Sequence, residues 1–358
     1  MAVVPEKDTS FSLNKEVLLT SWARLSVYDR TASHLKSRFV QRRLWVIGLT
    51  LIATIASILT GILGETLLSV ILAIGSVIIS ASASVLMNDI IKFTGTTAWI
   101  KYRYIAEMMR MHIYLYRMQA DIYAVGPVNL MDNLLVEKLS KVRADIKMDD
   151  IIPSSFSVPQ TEAEIVEVIK QANSGSDDDG VSEISIENYI KWRVDKPQSW
   201  YDSRIKTDFA RLKLFYRWGQ IILLIGSISS ALAGFAINLQ IFTLVAVTNA
   251  ISVALTQWSN VSMVGKTYSI FQIASDELKD QKAWWLATVN DFDTTEEEKM
   301  KAAKSMFATR VENVLLWERE EWYEMALQAQ AAGDKMILGD LTRLTQRAQD
   351  AQNKPAPK

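Results

Sequence analysis

Four stretches of this chain, residues 44–63, 66–87, 218–237 and 241–264, run without a single charged side chain. The first reads LWVIGLTLIATIASILTGIL. As a helix rising about 1.5 Å per residue it covers roughly 30 Å, the thickness of a bilayer's hydrocarbon. Its Leu, Ile and Val residues contribute on the order of −3 to −7 kcal/mol to insertion. Core helices of soluble proteins rarely stay charge-free over such a length, and here four runs do. The expected architecture is therefore all-α, a helical membrane protein with four transmembrane helices and cytoplasmic helical extensions.

The runs come as two hairpins. Gly64 and Glu65 separate the first pair, and Asn238-Leu239-Gln240 the second. The first apolar run starts at Leu44, behind a long polar segment, whereas the apolar core of a secretory signal lies near the amino terminus. It is expected to remain as a span. Arg38, Arg42 and Arg43 precede the first hairpin, and Lys92, Lys101 and Arg103 follow it. Arg204, Lys206, Arg211, Lys213 and Arg217 precede the second, and Lys266 follows. The hairpin tips carry no basic residue, so the positive-inside rule predicts external tips and cytoplasmic termini.

The halves also resemble each other. Tyr28-Asp29 and Gly61 recur as Tyr201-Asp202 and Gly234, displaced by 173. Gly95, Thr97, Ile100 and Glu107 recur as Gly265, Thr267, Ile270 and Glu277, displaced by 170. Both units cross the membrane an even number of times, so they are expected to be parallel repeats. The organisation read from this is a first two-transmembrane repeat over 1–150, an acidic linker with a short helix over 151–188, a second repeat over 189–333, and a flexible tail over 334–358. Leu135, Leu139, Val142 and Ile146 have helical spacing, as do Met300, Ala303, Phe307, Val311 and Val314. Thr161 with Glu164, and Thr295 with Glu298, have the form of capping boxes.

Lys and Arg number 39 against 40 Asp and Glu, so bulk charge does not point to nucleic acid. Cysteine is absent, excluding disulfides and thiolate metal sites. His34 and His112 lack a paired ligand spacing, and no phosphate cradle, Ser–His arrangement or HExxH helix appears. No enzyme, metal or cofactor is expected. Polarity inside the spans is more telling. Ser76, Ser80, Ser84 and Asn88 stand four apart, as do Thr248, Ser252, Thr256 and Asn260, displaced by 172. Each set forms one stripe on a helix. Small hydroxyl residues allow close helix packing; alternatively, the stripes line a water-filled path with Asn88 and Asn260 at its cytoplasmic mouth.

After the first hairpin come Trp99, Tyr102-Arg103 and Ala106-Glu107-Met108-Met109-Arg110, with Tyr114 beyond; near the carboxyl end come Arg310-Val311-Glu312, Trp317-Glu318 and Trp322. With the hairpins, these resemble the bacterial two-transmembrane SLATT family and its related two-span domains, here in tandem. The second half departs from the pattern, with Ser269 and Ile273 where the first has Trp99 and Arg103. The resemblance implies an oligomeric pore or channel in the bacterial plasma membrane, an effector gated through its cytoplasmic helices. It also implies that any nucleotide signal arrives through a cytoplasmic protein partner. The alternative is a non-conducting scaffold or signalling protein that presents its helices to partners.

Overall fold

The structure, a computed structural model, describes residues 13–64, 66–93, 96–124, 126–145, 156–172, 178–235, 264–290 and 297–352, with 248, 251 and 252 between them. The described residues contain helices and no strand. Most of the expected fourth span, the second hairpin tip, Ile146, Thr256, Asn260 and Thr295 lie outside them.

Helix α1, Lys15–Leu63, is a single helix from the amino-terminal part of the core to the tip of the first hairpin. Asn14 caps it by accepting from the Glu16 and Val17 amides, and Glu16 complements the positive end of the helix dipole. No proline interrupts it. It stops at Gly64, whose φ of 60° is a conformation that disfavours any residue with a Cβ. The Thr66 hydroxyl then accepts from the Ser69 amide, starting α2, Leu67–Phe93. The two helices pack together, with Ala53 and Ala83 buried.

Helix α3, Thr96–Arg117, returns along α1. A 3-10 turn, Asp121–Tyr123, leads to α4, Val128–Asp145, where Leu135, Leu139 and Val142 are buried as their spacing predicts. Helix α5, Glu162–Ala172, carries the predicted capping box: Glu164 donates its amide to Thr161 Oγ1 at 3.3 Å, and its carboxylate accepts the Thr161 and Gln160 amides. A short α6, Ile186–Tyr189, passes into a π-helical stretch, Ile190–Asp195, and then into α7, Lys196–Phe235. Helices α8, Val264–Asn290, and α9, Glu297–Gln352, complete the chain. Helix α9 packs on both α3 and α8, through the face of Ala303, Phe307 and Val311.

One hydrophobic core joins both halves. It runs from Leu18 and Trp22 of α1 through Ile105, Met109 and Ile113 of α3 to Leu278 of α8 and Phe307 of α9. Removing one such aromatic side chain costs about 3–5 kcal/mol. The described end of the acidic stretch, residues 178–180, is packed into this core rather than loose. Arg117 grips Asp178 with both terminal nitrogens, and the Trp22 indole N–H donates to the Gly180 carbonyl at 2.7 Å. The sequence reads here as an acidic linker; a buried guanidinium 61 residues away needs its charge.

Two described helices, α1 and α2, are long and apolar enough to cross a membrane. The core helix of a soluble protein would be mostly buried. Here only 17% and 6% of the apolar windows are, and Leu67, Ile71, Ile74, Val77, Ile78 and Val85 stand more than half exposed. Such a surface suits hydrocarbon.

Candidate functional site

Arg103, Glu107, Arg110, Tyr114 and Arg117 are spaced four, three, four and three apart, so they share one face of α3. That face turns inward, and the charges are met by others. Arg103 pairs with Asp29 of α1, and Arg110 Nη2 lies 3.9 Å from the same carboxylate. Arg110 Nη1 donates to Glu107 Oε2 at 2.6 Å. Arg193, on the π-helical stretch, donates through Nη2 to Glu107 Oε1 at 3.1 Å. Its Nε and Nη2 clamp Glu312 of α9 at 2.9 and 2.5 Å. The Tyr189 hydroxyl donates to Glu312 Oε1 at 2.9 Å. A line of alternating charge thus runs from α1 through α3 and the π-helical stretch to α9.

The π-helical widening sits where Arg193 must reach two carboxylates, consistent with the frequent use of such turns to re-aim a side chain at a special site. The guanidinium also lies 4.7 Å over the Tyr114 ring, and Arg117 lies 5.7 Å from the same ring. Glu107, Arg193 and Glu312 are all buried. Burial opposes the ionisation of Glu107, but Arg110 and Arg193 outweigh it and hold the carboxyl well below the usual range. Burial pushes Glu312 up, with the charge of Glu107 adding to it and Arg193 opposing. Arg193 is held above its ordinary value against burial, by Glu312 and then Glu107. Two carboxylates share one guanidinium; Glu107 has Arg110 as a second partner, whereas Glu312 leans on Tyr189.

Breaking such a line is costly, because one partner removed leaves the other buried and uncompensated, roughly 3–5 kcal/mol. The chemistry is that of a latch between helices. Among the described residues no group of three or more His, Asp or Glu stands close enough to hold a metal ion.

The hydroxyl stripes are placed differently. Ser76 is half-buried, while Ser80 and Ser84 are exposed. The face of α2 turned to α1 passes through Ser69 and Ala83, both buried. Four-residue spacing drifts around a helix, so this stripe leaves the helix pair as it descends. Ser76 Oγ donates to the Ala73 carbonyl at 2.8 Å, and Ser84 Oγ to that of Ser80 at 3.1 Å. Asn88 lies on the last turns of α2. In the second half Thr248 is buried, and a Cβ at Gly226 of α7 would lie 3.3 Å from its Oγ1. Ser252 is half-buried. The structure thus sets Thr248 against α7 and does not gather the described stripe members into one channel wall within this single chain.

The latch was absent from the candidate residues read in the sequence, although its signals were present. Polar residues at heptad spacing along α3 are one. The Glu107…Arg110 and Arg310-Val311-Glu312 segments are another. Residues 189–322 match the family described as SMODS and SLOG-associating 2TM effector domain 1. Residues 23–126 match a domain described as a protein of unknown function, DUF4231. Arg193 and Glu312 lie in the first region, Asp29, Glu107 and Arg110 in the second, so the latch bridges the two. No curated protein and no solved structure matches the chain.

Proposed function

We propose that this chain is a membrane effector that assembles into an oligomeric pore in the bacterial plasma membrane, gated through its cytoplasmic helices. The observation that carries the reading is the continuity of α1. The same helix holds Trp22 and Asp29 in the core and latch and continues as the apolar segment from Leu44 to Leu63. A shift of the latch is therefore a shift of a span. The match of residues 189–322 to a 2TM effector domain supports the second hairpin as a membrane unit and the effector role. Duplication is supported by the joints within each half. Asp29 of α1 meets Arg103 of α3, and its counterpart Asp202 of α7 accepts from Ser275 of α8 at 2.6 Å. Tyr28 lies 6.2 Å from Tyr102, and its counterpart Tyr201 lies 5.4 Å from Phe271.

In this reading the chain has four spans, cytoplasmic termini, no catalysis, no cofactor and no nucleic-acid partner. Its signal arrives through a cytoplasmic protein, and the description of the matched domain names SMODS and SLOG as the associating classes. Recording from the purified protein in planar bilayers tests it. The pore reading expects discrete currents. Because the chain lacks cysteine, single cysteines at Ser76, Ser80, Ser84, Thr248, Ser252 and Thr256 report water access to a charged thiol reagent. Reaction at stripe positions, with a change in current and with Ile78 and Val253 protected, supports the water-lined path. Conductance with all six silent moves the pore elsewhere. A silent bilayer favours the scaffold reading, which the Ser76 and Ser84 hydroxyls, donating within their own helix, already accommodate.

A further inference from the structure

Just before the first span, one face of α1 carries an open groove of about 510 Å³ lined by Ser33, Lys36, Ser37, Val40, Gln41 and Leu44. Its polar end offers an ammonium, two hydroxyls and an amide. Its apolar end, Val40 and Leu44, is exposed and leads into the charge-free segment. The Lys36 stem is exposed along the groove, while its Nζ lies 4.8 Å over the Trp99 ring. No carboxylate lies within ion-pair distance of Lys36 among the described residues. The surroundings are cationic: besides burial, Arg319, Arg103 and Arg204 push its pKa down, with only Glu318 opposing. Buried beneath it, the Trp99 indole N–H finds no acceptor among the described residues.

An ammonium with no carboxylate partner among the described residues, set beside two hydroxyls and an amide just before a helix turns apolar, calls for an anion that also has an apolar part. We infer that this groove seats the headgroup phosphate of an anionic phospholipid, with Lys36 as its cation, Ser33, Ser37 and Gln41 as hydrogen-bond donors, and an acyl chain laid along Val40 and Leu44. The inference rests on the reading that α1 enters the membrane near Leu44. Arg103 and Arg319 have carboxylate partners, in Asp29 and Glu318, and Lys36 is the cation among the residues that line the groove. Bound there, the lipid ties the membrane surface to the first turns above the span.

The full chain, purified in mild detergent, is titrated with phosphatidylglycerol, phosphatidylcholine or inorganic phosphate. Retained lipid is counted by native mass spectrometry, and protection is read from thermal unfolding. Phosphatidylglycerol should be retained and raise the unfolding temperature, with phosphatidylcholine and inorganic phosphate far weaker. K36Q should weaken phosphatidylglycerol binding about fivefold, the effect of about one basic residue at a lipid surface. K36R should retain binding. R38Q removes an equal charge from a neighbouring exposed position outside the groove and should leave binding unchanged; equal loss in R38Q and K36Q would mean diffuse surface charge and overturn the site. So would undiminished binding in K36Q with unchanged helical circular dichroism, or equal protection by inorganic phosphate. Membrane fractionation separates the premises: a chain that washes off membranes at alkaline pH refutes the span itself, whereas one that stays without lipid preference refutes only the groove.

Discussion

Arg193 joins two buried carboxylates, Glu107 and Glu312, and its replacement should be felt throughout the shared core. Arg193→Met leaves Glu312 buried with only Tyr189 beside it, and should cost about 3–5 kcal/mol in denaturant unfolding followed by circular dichroism. The penalty should shrink at acidic pH, because Glu312, already pushed up by burial, then takes a proton instead of holding an unpaired charge. A double cycle with E312L should recover part of the loss. His112 sets a separate pH dependence. Burial, and then Lys138, lower its pKa to about 4 against the pull of Asp121, with the Tyr123 hydroxyl 3.3 Å from Nδ1. A depressed folded pKa means stability fully present above the unfolded value near 6.5 and lost as pH falls toward 4, up to roughly 3 kcal/mol. Glu107, held lower still, remains ionised through that window. Thermal unfolding from pH 7 to 4.5 should steepen in the wild type and flatten in H112Q; equal slopes would exclude His112 as the cause.

Among the elements, the strap over residues 178–185 depends most on one position. Gly180 has φ of 76°, and a Cβ there would fall 2.6 Å from Cγ2 of the buried Ile169. G180A should therefore destabilise by about 1–3 kcal/mol through backbone strain and the clash together. I169A in the same chain should relieve the clash but not the strain, so only part of the loss should return. Thermal melts of the single and double variants give the comparison, and full additivity would show that the two residues do not press on each other. The strap also shows where sequence reading stops. The capping box that starts α5 is local and was legible, because a hydroxyl and a carboxylate three residues apart satisfy each other's amides. The Arg117–Asp178 grip spans 61 residues, and no spacing rule connects such a pair.

At the scale of the whole molecule, both halves share one hydrophobic core, and α1 carries the latch residue Asp29 and an apolar segment on one continuous helix. Topology is the property to test there. Reporter fusions after residues 150 and 358 are expected to read cytoplasm, and an insertion between Gly64 and Glu65 to read outside. An external signal from either fusion would reverse the orientation drawn from the Lys and Arg distribution. The apolar segments of α1 and α2 were legible because hydropathy is a sum over consecutive side chains and needs no knowledge of what lies across the fold.

The sequence by itself determined that the described residues are helical, where α1 and α2 become apolar, and which faces of α4 and α9 turn inward. Hydropathy, capping and the 3.6-residue period all act within a few turns of one helix, so neighbouring residues specify them. Only the tertiary structure decided which charges meet. Asp29, Glu107 and Glu312 are ordinary solvated carboxylates as far as their neighbours in sequence can tell. They become one line, buried at Glu107 and Glu312, because α1, α3, the π-helical stretch and α9 converge. It also decided that Ser80 and Ser84 face away from α1 while Thr248 packs against α7, since the direction of a small hydroxyl depends on the helix beside it. Local free energies add along a chain, whereas pairing depends on the folded path that brings distant turns within a few ångströms.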